Sequence, residues 1–334
     1  MKRSLRTAGR MAEAPTPRAR RGWLFAVQLA VGVLAVGLAW HRLREDWGQV
    51  DWSRVALSRD ALITAFAWSG PAVLVAFAVL IETWRRVLGA WGGALAPLDA
   101  AHIWFVSNLG RWIPGKVWQV GAMAGLAERA GVSGIAATGA SIVVNLVNLV
   151  AGGAVVVAAS LAGVNVLGTS GVTARGAWIG GSVIALSLSL CPLVIPRLAA
   201  VAARLMGRAD PGMRVPGRSI ALAFIGCATG WVLYGLGFWA IAGALGRTSV
   251  PMGPVAAIAV YTASYLFGYL MLFAPGGLVF REAMLITTMT QLHLAGATEA
   301  AVLAVLSRLW ITVIEVVPGL LFLFRRPPAA TTEP

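Results

Sequence analysis

The sequence predicts an all-α integral membrane protein with six clear transmembrane helices and two broken hairpins, arranged as an inverted repeat. The 334-residue chain is 58% hydrophobic and only 12% charged, with a mean hydropathy of +0.79. A soluble domain carries about 25% charged residues. Long stretches, such as 130–174 and 219–246, contain no charged residue. Two other apolar stretches are interrupted by Pro-Gly, which indicates broken rather than continuous helices.

Apolar stretches near the roughly 20 residues that a bilayer requires define the six helices. The first follows Arg20-Arg21 and ends without a small-residue cleavage site, so we interpret it as an uncut span rather than a signal peptide. The predicted spans are 23–40, 61–81, 135–162, 177–195, 219–245 and 299–323.

Basic residues predict the orientation, because they concentrate in cytoplasmic loops. Residues 1–22, expected to be a disordered basic tail, are rich in arginine, and five arginines lie between 197 and 218. Both termini are therefore predicted to be cytoplasmic, in a multi-pass protein of the cell membrane. A single transmembrane domain spans 23–325, with inverted halves at about 23–162 and 177–325, and 326–334 form a short tail.

Two segments, 97–130 and 251–294, then enter and leave the membrane on one face. Each is either a re-entrant hairpin or two full spans. The order span, span, hairpin, span occurs twice, and the second copy is upside down.

Each hairpin contains a Pro-Gly break, at Pro114-Gly115 and at Pro275-Gly276-Gly277. Proline ends a helix and glycine permits a turn, so a half-helix begins inside the protein. Its unpaired N–H groups and positive dipole end suit a phosphate or carboxylate. Paired breaks in two halves indicate the binding site of an inverted-repeat transporter. The alternative is a pair of proline kinks satisfied by their neighbours.

Ionisable residues beside the breaks are candidate ligands for an anionic headgroup, because charge within a membrane usually has a function. Arg308 and Glu315 lie two helical turns apart on one helix face, where they could pair with Glu282 and Arg281. A purely structural salt-bridge cluster is the alternative. The predicted substrate-binding residues are Arg111, Pro114, Gly115, Lys116, Gln119, Pro275, Gly276, Gly277, Arg281, Glu282 and Arg308, with Glu315 in a charge network.

Polar side chains at helical spacing predict a polar lining. Ser141, Asn145 and Asn148 form one stripe, and Tyr265 lies in the middle of another that runs from Tyr261 to Tyr269. Asn145, Asn148 and Tyr265 are the candidate lining residues, and interhelical hydrogen bonds are the alternative.

Gly-x-x-x-Gly spacings at 121–125, 176–180 and 226–230 predict close helix packing.

Enzymatic chemistry has little support, since the sequence contains no nucleotide-binding loop, metal-ligand spacing or catalytic triad pattern. We therefore predict no enzyme, no metal and no cofactor. Nucleic-acid binding is also disfavoured, because the arginines lie beside spans rather than on an exposed basic face.

The two breaks carry a family resemblance. The stretch from Asn108 to Gln119, with 128–133, resembles the first signature of the lysylphosphatidylglycerol synthase transmembrane, or flippase-like, family. The stretch from Pro275 to Ala283 resembles the second, usually Pro-Gly-Gly-Leu-Gly-Val-Arg-Glu, and Arg308 matches a basic residue of the last span. The resemblance covers about 20–325. It implies a polytopic bundle with two re-entrant elements that moves lipids or lipid-linked headgroups between leaflets.

The sequence departs from the family at Val117-Trp118-Gln119 and around Asn145 and Asn148, where many members carry charged pairs, and at Val279, where the second motif has glycine. It is most similar to the stand-alone branch without the synthase domain. The predicted function is translocation of an anionic phospholipid or polyprenyl-linked glycan headgroup across the cytoplasmic membrane. Predicted partners are membrane lipids and a glycosyltransferase or lipid-synthesis enzyme. The alternatives are a membrane scaffold for a glycosyltransferase and an intramembrane lipid-modifying enzyme.

Overall fold

The computed structural model describes residues 59–112, 117–164, 166, 197, 216–245, 252–271, 277 and 279–325. Within these ranges every regular element is helical and no β-strand occurs, so the predicted all-α class is confirmed. The predicted spans 23–40 and 177–195, the tails 1–22 and 326–334, and most of both Pro-Gly breaks lie outside the described residues.

Eight α-helices and one 3-10 helix make up the described structure. In chain order they are α1 (Arg59–Gly89), α2 (Pro97–Asn108), η1 (Leu109–Trp112), α3 (Val117–Arg129), α4 (Gly134–Leu161), α5 (Gly217–Gly243), α6 (Pro254–Leu270), α7 (Phe280–Gln291) and α8 (Ala297–Leu323).

Four of these helices are long and apolar enough to cross a membrane, at 31, 28, 27 and 27 residues for α1, α4, α5 and α8. They match the predicted spans at 61–81, 135–162, 219–245 and 299–323. These helices indicate a multi-pass membrane protein. Helix α6 is apolar but shorter.

The broken helices begin and end where the local sequence allows. Helices α2 and α6 both have proline at the first helical position, after the extended residues Ala96 and Gly253. Proline is favoured there because its missing N–H needs no partner. The Oγ atom of Ser133 accepts from the N–H of Ala136 at the start of α4, which supplies a side-chain cap.

The same order of elements occurs twice. Each of two sets consists of a long helix, a broken pair and a second long helix, where a broken pair means the two shorter helices on either side of a Pro-Gly break. The first set is α1, α2/α3 and α4, and the second set is α5, α6/α7 and α8. Packing between the two sets is reciprocal: α1 packs on α5, α2 packs on α8, and α6 packs on α4. Each broken pair therefore lies against the last long helix of the other set.

Glycines allow the central helices to approach closely. A Cβ atom on Gly226 would overlap Oγ1 of Thr83 on α1, and one on Gly230 would lie 3.3 Å from Leu80. The predicted packing role of the 226–230 spacing is therefore confirmed. The same prediction for 121–125 is wrong, because no described atom lies within 4 Å of a Cβ atom on either glycine, and 176–180 lies outside the described residues. Further along α5, a Cβ atom on Gly235 would overlap the backbone Cα of Ile258 on α6. Backbone cannot rotate away, so Gly235 fixes the distance between these helices.

We predict that Gly235→Ala lowers the free energy of unfolding by about 1–3 kcal/mol, the usual cost of overpacking. Thermal unfolding of the purified protein measures this loss. Gly70→Ala is the control, because no described atom lies within 4 Å of a Cβ atom there, and alanine favours a helix over glycine. Equal melting temperatures for Gly235→Ala and the native protein would contradict the close packing of α5 and α6.

Candidate functional site

A cavity of about 200 Å³ lies between the two broken pairs and the helices α4 and α8. The first set of helices contributes Trp104, Asn108, Gln119, Met123, Ser141 and Asn145 to its walls. The second set contributes Tyr265, Gly268, Tyr269, Arg281, Arg308 and Glu315. Residues far apart in the sequence thus meet at one place, and both sets are needed to form it.

Arg281, in the first turn of α7, is a buried cation with only 4% of its surface exposed. Its Cζ atom lies 4.9 Å from the ring centroid of Tyr261 and 4.8 Å from that of Tyr265. Such cation–π contacts are each worth about 0.5–2 kcal/mol. Among the described residues its buried Nη2 atom has no hydrogen-bond partner. A buried guanidinium nitrogen without an acceptor is costly, so Arg281 is suited to receive an anion.

Arg308 of α8 forms an ion pair with Glu282 of α7, with 3.4 Å between Nη1 and Oε1. Both side chains are largely buried, at 14% and 15% exposure. The pairing expected from the sequence is therefore present. The contact is long for a charge-assisted hydrogen bond, and Oε2 of Glu282 is buried without a hydrogen-bond partner among the described residues. This pair joins the second broken pair to the last long helix.

Glu315 lies on the same face of α8 as Arg308 and lines the same cavity, with 3% of its surface exposed. The expected pairing of Glu315 with Arg281 does not occur as a salt bridge in the described structure. The guanidinium of Arg281 lies instead over the tyrosine rings of α6.

Amide side chains connect the helices on the opposite wall. Nε2 of Gln119 on α3 donates to Oδ1 of Asn108 on α2, which bridges the first broken pair. The hydroxyl of Tyr269 on α6 donates to Oδ1 of Asn145 on α4 across 3.1 Å. This second bond links the two sets of helices at the cavity.

Several predicted site residues line this cavity, and others do not. Glu282 is not among the described lining residues, but it forms an ion pair with Arg308, which is. Asn148 is not among the described lining residues; its backbone carbonyl accepts from Nε1 of Trp231 on α5 at 2.9 Å. Arg111 belongs to η1, but its side chain lies outside the described structure. Pro114, Gly115, Lys116, Pro275 and Gly276 also lie outside the described residues. The predicted residues in the lining are Gln119, Asn145, Tyr265, Gly277, Arg281, Arg308 and Glu315.

The second break is held by close backbone contacts. A Cβ atom on Gly268 of α6 would lie 2.7 Å from Cβ of Arg281, and one on Gly277 would lie 2.7 Å from the carbonyl oxygen of Gly268. Gly277 also has a φ of +68°, which favours glycine. Val279, directly before α7, has a φ of 74° and a ψ of −54°. Strain of this kind costs about 1–3 kcal/mol and often occurs at functional sites.

Sequence reasoning missed Trp104, Asn108 and Gly268 as cavity residues. Asn108 lies within the first motif, and Trp104 precedes it by one helical turn, so a helical-face argument could have found both. Gly268 carries no sequence signal, because its role depends on how α7 packs against α6.

No protein-family model matches the chain, and no curated protein matches it in sequence. The resemblance to the flippase-like family therefore stays a prediction from the motif residues. Within the described part of the chain, no three His, Cys, Asp or Glu side chains group as metal ligands would.

We predict that Gly268→Ala weakens anion binding by displacing Arg281, since the new Cβ atom would overlap the Cβ of that residue. The dissociation constant of dodecyl phosphate should rise about tenfold, equivalent to about 1.4 kcal/mol. Calorimetry on the purified protein measures it. Gly121→Ala on α3 is the matched control, because no described atom lies within 4 Å of its Cβ position. An unchanged constant in Gly268→Ala would refute the positioning role.

Proposed function

We propose that the protein binds an anionic lipid headgroup in this cavity and carries it between the leaflets of the cell membrane. The headgroup belongs to a phospholipid or to a polyprenyl-linked glycan. Arg281 is the residue on which this function depends. It is a buried cation beside a cavity, and its Nη2 atom has no acceptor among the described residues. A phosphate offers the charge and the acceptor oxygens that a guanidinium binds best.

Energetics favour a ligand at this position. An arginine at the centre of a membrane-spanning segment costs about 2.5–3.5 kcal/mol on insertion scales. The rings of Tyr261 and Tyr265 offset part of that cost. A hydrogen bond to a charged group contributes about 1.5–3 kcal/mol. A bound phosphate would therefore stabilise Arg281 in a way that tyrosine rings cannot.

Arg308 supplies a second cation for the bound anion. Its ion pair with Glu282 is a contact that can open and close during transport. A phosphate near Arg308 would compete with Glu282 for the guanidinium. The ion pair between α7 and α8 can thus open when the headgroup enters and close when it leaves. We propose that this exchange accompanies the change in access to the cavity.

The repeated order of helices supports an inverted repeat with six spans. Gln119 and Glu282 precede the N-caps of α4 and α8 by the same number of residues, so they are equivalent positions in the two sets. The cavity lies between the two sets, where inverted-repeat transporters bind their substrates. We place both termini in the cytoplasm, as the distribution of arginine predicts.

The family resemblance also gains support from the way the motif residues meet. Gln119 from the first motif, Gly277 and Arg281 from the second, and Arg308 from the last span line one cavity. A scaffold for a glycosyltransferase would need no buried cation there, so transport is the better explanation.

A leaflet-resolved assay in proteoliposomes tests this function. Fluorescent phosphatidylglycerol in the inner leaflet should become accessible to an external quencher when the native protein is present. Arg281→Ala should lose most of this activity. Arg129→Ala is the control, because Arg129 ends α3 and is exposed. Equal activity for native protein, Arg281→Ala and empty vesicles, with fluorescent phosphatidylglycerol and with a fluorescent polyprenyl phosphosugar, would contradict the proposal.

We predict that Glu282→Gln loses transport before it loses the fold. The change removes the carboxylate that pairs with Arg308 and lowers the free energy of unfolding by up to about 3 kcal/mol. The double variant Glu282→Gln with Arg308→Gln should recover the melting temperature but not transport. Thermal unfolding and the same leaflet assay measure the two effects. Full transport by the single variant would show that the ion pair has no role in the cycle.

A further inference from the structure

A second candidate ligand site lies on the outside of the helices, where α1 ends and α2 begins. It consists of two adjoining cavities. The first, here called the arginine pocket, has a volume of about 550 Å³ and is lined by Arg85, Arg86, Gly89 and residues 93–96. The second, here called the lateral groove, has a volume of about 340 Å³ and lies between α1, α2 and α8. They adjoin because Glu82 of the groove precedes Arg85 and Arg86 by one helical turn, and Pro97 of the groove directly follows the pocket residue 96.

The lateral groove is apolar apart from Glu82 at one end. Its apolar lining residues recur at intervals of three or four, so one face of each helix forms a wall. Leu74 in the lining is 46% exposed, so the groove opens away from the helix bundle. Because α1 and α8 are long and apolar enough to cross a membrane, a hydrocarbon chain is the ligand that suits this groove. The lining residues are Leu74, Ala78, Ile81 and Glu82 of α1, Pro97, Ala101 and Phe105 of α2, and Pro318 and Phe322 of α8.

Two arginines of the arginine pocket share one carboxylate. Glu82 accepts from Nε of Arg85 at 2.6 Å and from Nε of Arg86 at 2.7 Å. Nη1 of Arg85 also donates to the carbonyl of Leu95 across 3.2 Å, which fixes this guanidinium against the loop. The side chain of Arg86 is 61% exposed, so its guanidinium is accessible to a ligand in the pocket.

The charge of this group favours a phosphodiester as its ligand. Two arginines and one glutamate leave one positive charge, which matches the single negative charge of a phosphodiester. Arginine binds phosphate oxygens through charge-assisted hydrogen bonds, and basic clusters beside membrane spans attract anionic lipids. A lipid diphosphate carries more negative charge than this group balances, so an anionic phospholipid fits better.

The lateral groove shares two of its walls with the central cavity. On α8, Glu315 of the cavity precedes Pro318 of the groove by less than one helical turn. On α2, Asn108 of the cavity follows Phe105 of the groove at the same spacing. A lipid held in the groove therefore lies next to the cavity in which we place the transported headgroup.

We propose that the arginine pocket and the lateral groove together bind one anionic phospholipid, and that this lipid is the substrate before it enters the central cavity. Its phosphate accepts hydrogen bonds from the Arg86 guanidinium, and one acyl chain lies in the groove. Arg85 is a positioning residue, because it holds both Glu82 and the loop at Leu95. The loading role rests on the proposed function, whereas the binding of the lipid does not.

Photolabelling of the purified protein in phosphatidylcholine nanodiscs tests the binding of this lipid. The probe is phosphatidylglycerol with a diazirine in one acyl chain, and mass spectrometry locates the labelled residues. We expect labels at the groove residues of α1, α2 and α8, and additional phosphatidylglycerol should displace the probe. A phosphatidylcholine probe with the same diazirine should label the groove about tenfold less, the ratio that about 1.4 kcal/mol of binding free energy produces.

Variants with exposed substitution sites assign the binding to the two cavities. Arg86→Gln should reduce labelling by phosphatidylglycerol to the level of the phosphatidylcholine probe, and Arg129→Gln is the matched control, because Arg129 is an exposed arginine at the end of α3. Ala78→Trp should fill the groove and reduce labelling there by both probes. Val75→Trp is its control, since Val75 is 52% exposed and is not among the groove residues.

The leaflet assay tests the loading role. Arg86→Gln and Ala78→Trp should slow transport of fluorescent phosphatidylglycerol about tenfold when this lipid is a small fraction of the vesicle. The rate should recover as the fraction rises, because loading is a binding step. Arg281→Ala should lose transport at every fraction and keep the photolabel in the groove.

The outcomes separate this inference from the proposed function. Equal labelling by the two probes, or full labelling of Arg86→Gln, would overturn the lipid site, as would displacement of the probe by a polyprenyl phosphosugar and not by phosphatidylglycerol. Native transport rates for both variants at low lipid fractions would overturn the loading role alone. If the native protein transports no lipid, the proposed function and the loading role both fail, and the photolabelling still decides whether an anionic phospholipid binds here.

Discussion

The burial of one positive charge is the constraint on which the site depends. Arg281 is placed in the interior of a helical membrane protein, where no carboxylate forms a salt bridge with its guanidinium in the described structure. The rings of Tyr261 and Tyr265 offset part of the free-energy cost of burying this charge. Gly268 makes the arrangement geometrically possible, because its missing side chain lets α7 approach α6. Because Nη2 of Arg281 has no hydrogen-bond partner among the described residues, the guanidinium retains a donor for an anionic ligand.

The packing of the long helices serves this site. Reciprocal contacts between the two sets bring a broken pair from each to a shared cavity. The Tyr269–Asn145 hydrogen bond and the Arg308–Glu282 ion pair connect different helices at its edge. Such polar contacts can exchange for ligand contacts without loss of the hydrophobic packing behind them. In the proposed function, the packed helices are the rigid frame of the site and these polar contacts are the part that moves.

Much of the fold could be predicted from composition alone, because a chain with few charges must bury its backbone in helices within a membrane. The positions of α1, α4, α5 and α8 followed from the lengths of apolar stretches. The ion pair between Glu282 and Arg308 followed from helical spacing near a break. The contacts of Arg281 could not be predicted in this way. A sequence pattern of charges favours a salt bridge and does not reveal tyrosine rings on a neighbouring helix. Gly268 was equally hidden, because the closeness of two backbones is a property of packing.

Structure determination with a bound lipid tests the central claim most directly. The protein would be placed in nanodiscs with dioctanoyl phosphatidylglycerol or a citronellyl phosphosugar, whichever binds, and imaged by electron cryomicroscopy. We expect phosphate density within hydrogen-bonding distance of the Arg281 guanidinium, between α7 and α8. Headgroup density confined to the outer surface of the helices, with protein side chains alone filling the cavity, would contradict the claim that Arg281 binds the anionic headgroup.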